Sequence, residues 1–430
     1  MTKFLRRILT AVLIVACALT ATFVYAAVQI FDGRGEWHTN DDDNQQIAKQ
    51  RAQQRAQLDA QKKAGVYLKT FSRTVDLELV EDEVTAVTAN ILELVGDVHF
   101  DKKIIPLSDQ SSTILYTATL KAKIDPDGLF DWFKRDEKQK VNDVRQNSEL
   151  QDAIRRNDEQ AAVLTEQYTQ AATQSERDEL RRQIDEVDRD FLANQKLEEG
   201  LKLNYAEDYN GAIRLYNEAL DIKPDYPEAY TERGVAQFLL GQIDQAFDDF
   251  AQAIELNPNY ARAYYCNGYV YDELEQYETA IRNYDKAVNL DPKYFEAYGN
   301  RGVAYIYLQQ YHRALNDFNT ALKINPNYFE GYANRGICYN DGLKDYGNAL
   351  TDFNTALKLN PYSGETYNNR GEVYMKMERY ERAIQDFTKA LEFLEHPMIY
   401  TNRGKCYQAL GDEAKAQADF DKARQLGDNG

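Results

Sequence analysis

The chain has 430 residues, room for two or three domains, and 70 acidic against 51 basic side chains give it a formal net charge of −19. That balance argues against nucleic acid, which needs a basic footprint to displace counterions, and no Lys/Arg run with interleaved aromatics occurs. The charge keeps a long chain soluble and favours cationic partners.

Residues 1–27 read as a targeting segment. Lys3, Arg6 and Arg7 precede an apolar stretch over 8–26, and Val24-Tyr25-Ala26 before Ala27 places small residues at a cleavage site. The stretch is also long enough to remain as a single membrane anchor, and Cys17 after Ile14-Val15-Ala16 offers a point of lipid attachment. Each alternative puts the body of the protein outside the cytoplasmic membrane, in the periplasm or cell envelope or beyond. Membrane contact is expected only through this segment, if it is not cleaved.

Residues 28–125 have the pattern of a small α+β domain. A first strand carries Phe31-Asp32-Gly33-Arg34-Gly35-Glu36-Trp37, and an Asp/Asn cluster at 40–44 then starts a helix. Ala48, Ala52, Ala56, Ala60 and Ala64 form one stripe at spacing four, a face able to pack closely on a sheet. Alternation over 71–80, 91–99 and 113–124 predicts three more strands. Gly33 and Gly35 lack the third glycine of a nucleotide loop and read as a strand bend. This region resembles the N-terminal modules of envelope lipoproteins and flagellar-assembly proteins, which begin with a Gly-x-Gly-aromatic strand and an Ala-striped helix.

Residues 126–192 form a helical connector. Leu129-Phe130-Asp131-Trp132-Phe133 is an aromatic cluster suited to docking on the α+β domain or to touching membrane. From Glu137 the sequence is charged and helical. Leu150, Ile154, Ala161, Leu164, Tyr168 and Ala171 follow spacings near 3.5, and Leu180, Ile184, Val187 and Phe191 resume after a break. Ser175 followed by Asp178 resembles a helix start. The pattern predicts a helical hairpin or a broken coiled coil.

Residues 193–430 repeat every 34 residues. Gly200, Gly234, Gly268, Gly302, Gly336, Gly371 and Gly404 are each followed twelve or thirteen residues on by Ala212, Ala246, Ala280, Ala314, Ala349, Ala383 and Ala416. Seven residues further come Ala219, Ala253, Ala287, Ala321, Ala356, Ala390 and Ala423, with one residue inserted before Ala349 and one removed before Gly404. With Pro227 as position 1, a first helix carries an aromatic at 4 and Gly at 8. A second helix carries Ala at 20, an aromatic at 24 and Ala at 27, three and four apart on one face. Small residues sit where two backbones approach closely, and rings fill the volume beside them. Pro224, Pro258, Pro292, Pro326 and Pro361 close the second helices. A period of this length marks a solenoid, whose units bury their apolar faces only against neighbours. The pattern resembles the tetratricopeptide repeat, and the resemblance implies a mainly α fold: seven helix pairs behind a small α+β domain and a helical connector.

Position 7, usually apolar in that family, is here Arg233, Arg301, Arg335, Arg370 and Arg403, and position 23 in those units is Asp249, Asp317, Asp352, Asp386 and Asp419. Where the arginine is replaced by Asn267, position 23 becomes Asn283. Both members change together, so a direct contact between the two helices of a unit is expected, as a structural staple and not a ligand site.

In this family the inner wall is lined by positions 2, 5, 6, 9, 12 and 13 of the first helix. Carried over, these give Val235, Phe238, Tyr265, Tyr269, Asn300, Val303, Ile306, Tyr307, Asn334 and Ile337 as candidate peptide-binding residues, with Asn340, Asn368, Asn369, Glu372, Asn402 and Lys405 further along. Apolar anchors with amides suit an extended or helical polypeptide. The chaperone-binding subgroup's pairing of Lys at 5 with Asn at 9 is absent, so a terminal-carboxylate clamp is not expected.

No spacing points to catalysis. His38, His99, His312 and His396 are scattered, and neither a phosphate loop nor a nucleophile elbow occurs. Cys266, Cys338 and Cys406 lie in first helices of alternate units, too far apart to pair, and read as small core residues. The expectation is a non-enzymatic scaffold or adaptor without cofactor or metal, holding a protein or peptide partner in cell-envelope assembly. The alternative makes it a structural accessory of an outer-membrane or appendage machine, acting through the α+β module.

Overall fold

The computed structural model describes residues 28–40, 45–74, 84, 87–89, 91–108, 111–124 and 137–427; the side chains at 40, 70–74, 106–112, 137–149 and 151 are not described. The expected targeting segment, the cluster at 129–133 and most of the expected strand at 71–80 therefore lie outside the described residues. The chain divides into two compact units, 1–135 with 142–188, and 136–141 with 189–430. Among the described residues no helix is long and apolar enough to cross a membrane.

In the first unit, β1 (Gln29–Asn40), β2 (Leu92–Ser108) and β3 (Ser111–Ile124) form an antiparallel sheet in the order β1-β3-β2. Helix α1 (Gln45–Thr74) covers one face. It continues through residues 71–74, where alternation had suggested a strand. Its alanine stripe, Ala48 to Ala64, is buried on Trp37, Tyr116, Ala118 and Leu120. The Gly33-x-Gly35 pair is not a bend, since β1 pairs with β3 in unbroken register from Gln29 to Asn40. The glycines instead let the helix backbone down onto the strand. A methyl group at Gly33 would lie 2.1 Å from the Ala56 carbonyl oxygen, and one at Gly35 2.2 Å from that of Ala52.

The same helix closes the free edge of β1. Arg55 donates to the Glu36 carbonyl at 3.1 Å, Asp59 accepts the Arg34 N–H at 3.1 Å, and Lys63 donates to the Asp32 carbonyl at 2.6 Å. Residues 55, 59 and 63 are successive helical turns, matching alternate residues of the strand. A row of backbone groups that would otherwise template strand addition is thus occupied by side chains.

Helices α2 (Glu137–Gln170) and α3 (Gln174–Tyr205) form a hairpin. Ala161, Leu164, Ile184 and Val187 enter the core beneath α1. Arg51, 1% exposed, ties the hairpin to that helix, donating to Asp158 at 2.8 Å, Asp188 at 2.9 Å and Asn157 at 3.1 Å. Its guanidinium and that of Arg55 lie 4.8 and 4.5 Å from the Trp37 ring. These acceptors offset the cost of burying the charge of Arg51.

The second unit is seven helix pairs. The C-terminal part of α3 pairs with α4 (Tyr209–Ile222), α5 (Pro227–Leu239) with α6 (Ile243–Leu256), and α7 (Ala261–Glu273) with α8 (Tyr277–Leu290). Next come α9 (Phe295–Tyr307) with α10 (Tyr311–Ile324), and α11 (Phe329–Ile337) with α12 (Tyr346–Leu359). The last are α13 (Gly364–Lys376) with α14 (Tyr380–Ala390), and α15 (Pro397–Ala409) with α16 (Glu413–Gln425). Proline opens α5 and α15, where its missing N–H is no loss. The position-8 glycines face the position-24 rings: a methyl group at Gly302 would lie 2.8 Å from Phe318, which is fully buried. Losing such a ring costs about 3–5 kcal/mol.

The residue inserted before Ala349 has a structural place. α11 runs into a π-helical turn over Cys338–Leu343, which absorbs one extra residue without breaking the helix pair.

Each position-7 arginine grips more than its own unit. Arg233, Arg301, Arg335, Arg370 and Arg403 make paired hydrogen bonds of 2.7–2.8 Å to Asp249, Asp317, Asp352, Asp386 and Asp419. Their third nitrogen donates to Asn217, Asp285, Asn319, Asn354 and Thr388 of the preceding second helix. The position-4 tyrosines, Tyr230, Tyr298, Tyr332, Tyr367 and Tyr400, lie 5.2–5.6 Å from the guanidinium. In the exceptional unit Asn267 donates to Asn283 at 3.3 Å. The staple therefore joins neighbouring units as well as the two helices of one.

Candidate protein-interaction surface

The first helices carry the candidate wall, and packing sorts its residues. Tyr265 is 4% exposed, lies against Tyr294 with ring centroids 4.8 Å apart, and accepts a 3.0 Å hydrogen bond from Asn300, itself buried. These two serve each other inside the solenoid and are not displayed, which corrects their place in the candidate set. Burial raises the Tyr265 phenol well above its ordinary range. The expectation failed because the ring of Tyr294, from the linker between α8 and α9, covers position 5.

Val235 and Phe238 are half-buried, and Phe238 meets the half-buried Tyr269 edge-on at 5.9 Å. Val303 and Ile306 are half-buried beside Phe318, and Ile337 beside Phe353. Asn334 is half-buried. Tyr307 stands out at 62% exposed, one face stacked on Tyr277 at 4.6 Å and 5°.

Toward the C-terminus the wall is polar. The π-helical turn presents Asn340 and Asp341 to Lys376, whose ammonium donates to them at 3.2 and 2.9 Å. Glu372 accepts from Asn368 at 3.0 Å, and Asn402 approaches at 3.4 Å. Burial pushes the Glu372 carboxyl above its ordinary range, against the pull of Asn368 and Lys376.

One ionic contact escaped the sequence reading. Arg262 at position 2 donates to Glu232 at position 6 of the preceding unit at 2.8 Å, with side chains 1% and 3% exposed. A signal was present: Arg262 replaces the glutamate of Glu228, Glu296, Glu330 and Glu365, and Glu232 stands where Asn300, Asn334, Asn369 and Asn402 recur. Cys266, Cys338 and Cys406 are buried free thiols. Among the described residues no group of three or more His, Cys, Asp or Glu converges as a metal site would.

Helix pairs recurring at nearly constant spacing, five of them held by the same Arg–Asp staple and all packed through the same glycine–ring contact, define a helical-repeat solenoid. The chain belongs to the tetratricopeptide repeat family. Family models described as TPR repeat match residues 200–241 and 268–307. Others described as tetratricopeptide repeat match 227–260, 295–328 and 364–396, then 250–282, and 329–363 with 399–426. No curated protein matches the chain. Among solved structures, a tetratricopeptide repeat protein from Parabacteroides merdae is 25% identical, over 55% of this chain and 94% of that one, with a TM-score of 0.44. PilF of Pseudomonas aeruginosa is 18% identical over 47% and 93%, TM-score 0.44. YrrB, described as having an unusual peptide-binding site, is 23% identical over 46% and 97%, TM-score 0.36.

Proposed function

We propose that this chain is an exported, non-enzymatic scaffold that holds a polypeptide partner on the inner wall of its repeats, in assembly of the cell envelope. The family supports a protein–protein interaction scaffold, and its members are generally non-catalytic. The observation that carries the reading is the run of Phe238, Tyr269, Ile306 and Tyr307, partly or largely exposed, leading to the half-buried amides of Asn334 and Asn369. Rings and aliphatic groups supply apolar surface to bury, and amides satisfy a ligand's backbone. Export rests on Lys3, Arg6, Arg7 and the apolar stretch 8–26.

The test is capture of end-blocked decapeptides from a printed array by the full chain. Ile306→Asp with Tyr307→Ala should abolish capture, while Lys286→Ala, an exposed change on a second helix, should not. Unchanged capture by the double variant would move the site off this wall. Export is checked by protease added outside cells whose cytoplasmic membrane is intact; full protection, with a control envelope protein digested, would place the protein inside.

A further inference from the structure

The repeat does not need the ring of Tyr307. Position 13, held by Tyr307 in its own unit, is Leu239, Glu273, Asp341, Lys376 and Ala409 in others. Tyr307 is stacked nearly parallel on a second tyrosine, Tyr277. Its 62% exposure makes it the most exposed large apolar side chain among the described repeats. A ring held this way on one face leaves the rest of its surface open to a partner.

The surroundings say what could cover it. Glu273 and Glu275 are both exposed and precede Tyr277 by four and two residues, across the turn between α7 and α8. Burial first, then the neighbouring Tyr307 and the charges of Glu275, Asp272 and Glu273, raise the Tyr277 phenol above its ordinary range. An aromatic face is negative at its centre and attracts a cation within about 6 Å. Carboxylates at its rim add to the same field, and the net charge of −19 steers cations toward it. Because Tyr277 fixes the orientation of Tyr307, less freedom is lost on binding.

We infer that the Tyr277–Tyr307 stack, with Glu273 and Glu275 at its rim, is the seat for a lysine or arginine side chain of the polypeptide partner. The inference rests on the inner-wall reading above and adds the chemistry of the occupant. The ammonium or guanidinium lies over the open face of Tyr307, its aliphatic stem running toward Ile306, and the carboxylates complete its solvation.

The experiment uses the full chain and an array of end-blocked decapeptides of mixed sequence, each with one lysine, printed in lysine and N-acetyllysine forms. Acetylation removes the charge and keeps the length. The lysine forms should be captured more tightly by about threefold to thirtyfold. Tyr307→Ala, which leaves net charge unchanged, should erase that preference, and Glu273→Gln with Glu275→Gln should reduce it. A preference that survives Tyr307→Ala reflects bulk charge and overturns the seat, as does equal capture of both forms, and either leaves the inner-wall reading standing. Capture of no peptide in either form would sink that reading and the seat with it.

Discussion

Arg301 meets Asp317 through two parallel hydrogen bonds, Nε to Oδ2 at 2.8 Å and Nη2 to Oδ1 at 2.7 Å. A third, Nη1 to Asp285 of the preceding unit, is 2.6 Å long. Burial works against the charge on Arg301, but Asp317 and Asp285 outweigh it and raise its pKa. Burial also pulls the Asp317 carboxyl upward, the opposite preference to its partner's. The two-point geometry decides for the ion pair, because a paired guanidinium and carboxylate satisfy each other in a way neither neutral form can.

Arg301→Ala and Asp317→Ala should therefore each destabilise, and the double variant should cost less than their sum. An interaction energy of about 1–3 kcal/mol is expected for a pair this far from solvent. Asp285→Ala should cost less, since Asp285 is half-exposed. Chemical denaturation of the four corners of the cycle measures this, and strict additivity would remove the staple from the account of stability.

How much of this was legible in the sequence depends on whether partners vary together. Arg and Asp at positions 7 and 23 do, and Asn267 with Asn283 confirms the link by exception. The same logic applied to positions 2 and 6 would have found Arg262 and Glu232. Burial was harder. Helical spacing places Tyr265 and Tyr269 on one wall, but Tyr294 covers the first, and that ring arrives from a linker no helical period describes. The inserted residue was visible as a change of length, yet only the backbone shows it absorbed in a π-helical turn. Gly33-x-Gly35 reads as a bend along one strand because its cause, the backbone of Ala52 and Ala56, lies outside that strand.

The ladder on β1 predicts an effect on association more than on stability. Burial raises the Asp59 carboxyl, but Lys63 and the Arg34 N–H outweigh it and hold its pKa below the ordinary 3.8. A depressed carboxyl pKa contributes stability above 3.8 that is lost as pH falls through the folded value. The side chains are exposed enough that the contribution is under about 1 kcal/mol. Asp59→Ala with Lys63→Ala should fold yet sediment with more self-associated species than the parent at neutral pH, and the parent should move the same way below pH 3.8. Identical sedimentation of the two chains would show that β1 needs no cover.

Five residues at position 15 adopt a left-handed backbone that a side chain resists, among them Gln309 at φ 57° and Glu275 at φ 59°. The equivalent positions in two other units are Gly241 at φ 76° and Gly411 at φ 80°. Gln309→Gly removes the crowding between Cβ and the following carbonyl but gives the unfolded chain more freedom. Crowding is the larger effect, so stability should rise by about 0.5–1 kcal/mol. An unchanged or lower denaturation midpoint would mean that the strain is relieved elsewhere.

Burial pushes the thiols of Cys338 and Cys406 up to about 11, from an ordinary 9.0. A raised thiol pKa means the unfolded chain ionises first, so stability should fall as pH rises from 9.0 towards 11. Iodoacetamide at pH 8 should label Cys266, Cys338 and Cys406 slowly in the native protein and fully in denaturant. Rapid labelling of Cys338 in the native state would contradict its 0% exposure and its hydrogen bond to the Tyr311 carbonyl at 3.3 Å.

Tyr265 and Tyr307 offer the sharpest contrast on the wall, because one residue type at two family wall positions has two fates. Tyr265→Ala empties a space bounded by Tyr284 and Tyr294 and strips Asn300 of its hydrogen-bond partner. A cavity of that kind with an orphaned amide should cost about 3–5 kcal/mol. Tyr307→Ala removes only a stack on the partly exposed Tyr277, worth about 0.5–1.5 kcal/mol. Thermal melts of the full chain should therefore drop clearly for Tyr265→Ala and little for Tyr307→Ala, while the preference for lysine over N-acetyllysine peptides should be lost for Tyr307→Ala at temperatures where the protein is fully folded. Equal melting of the two variants would show that burial on this wall does not separate structural rings from displayed ones. A large drop for Tyr307→Ala alone would make its ring part of the solenoid's own packing.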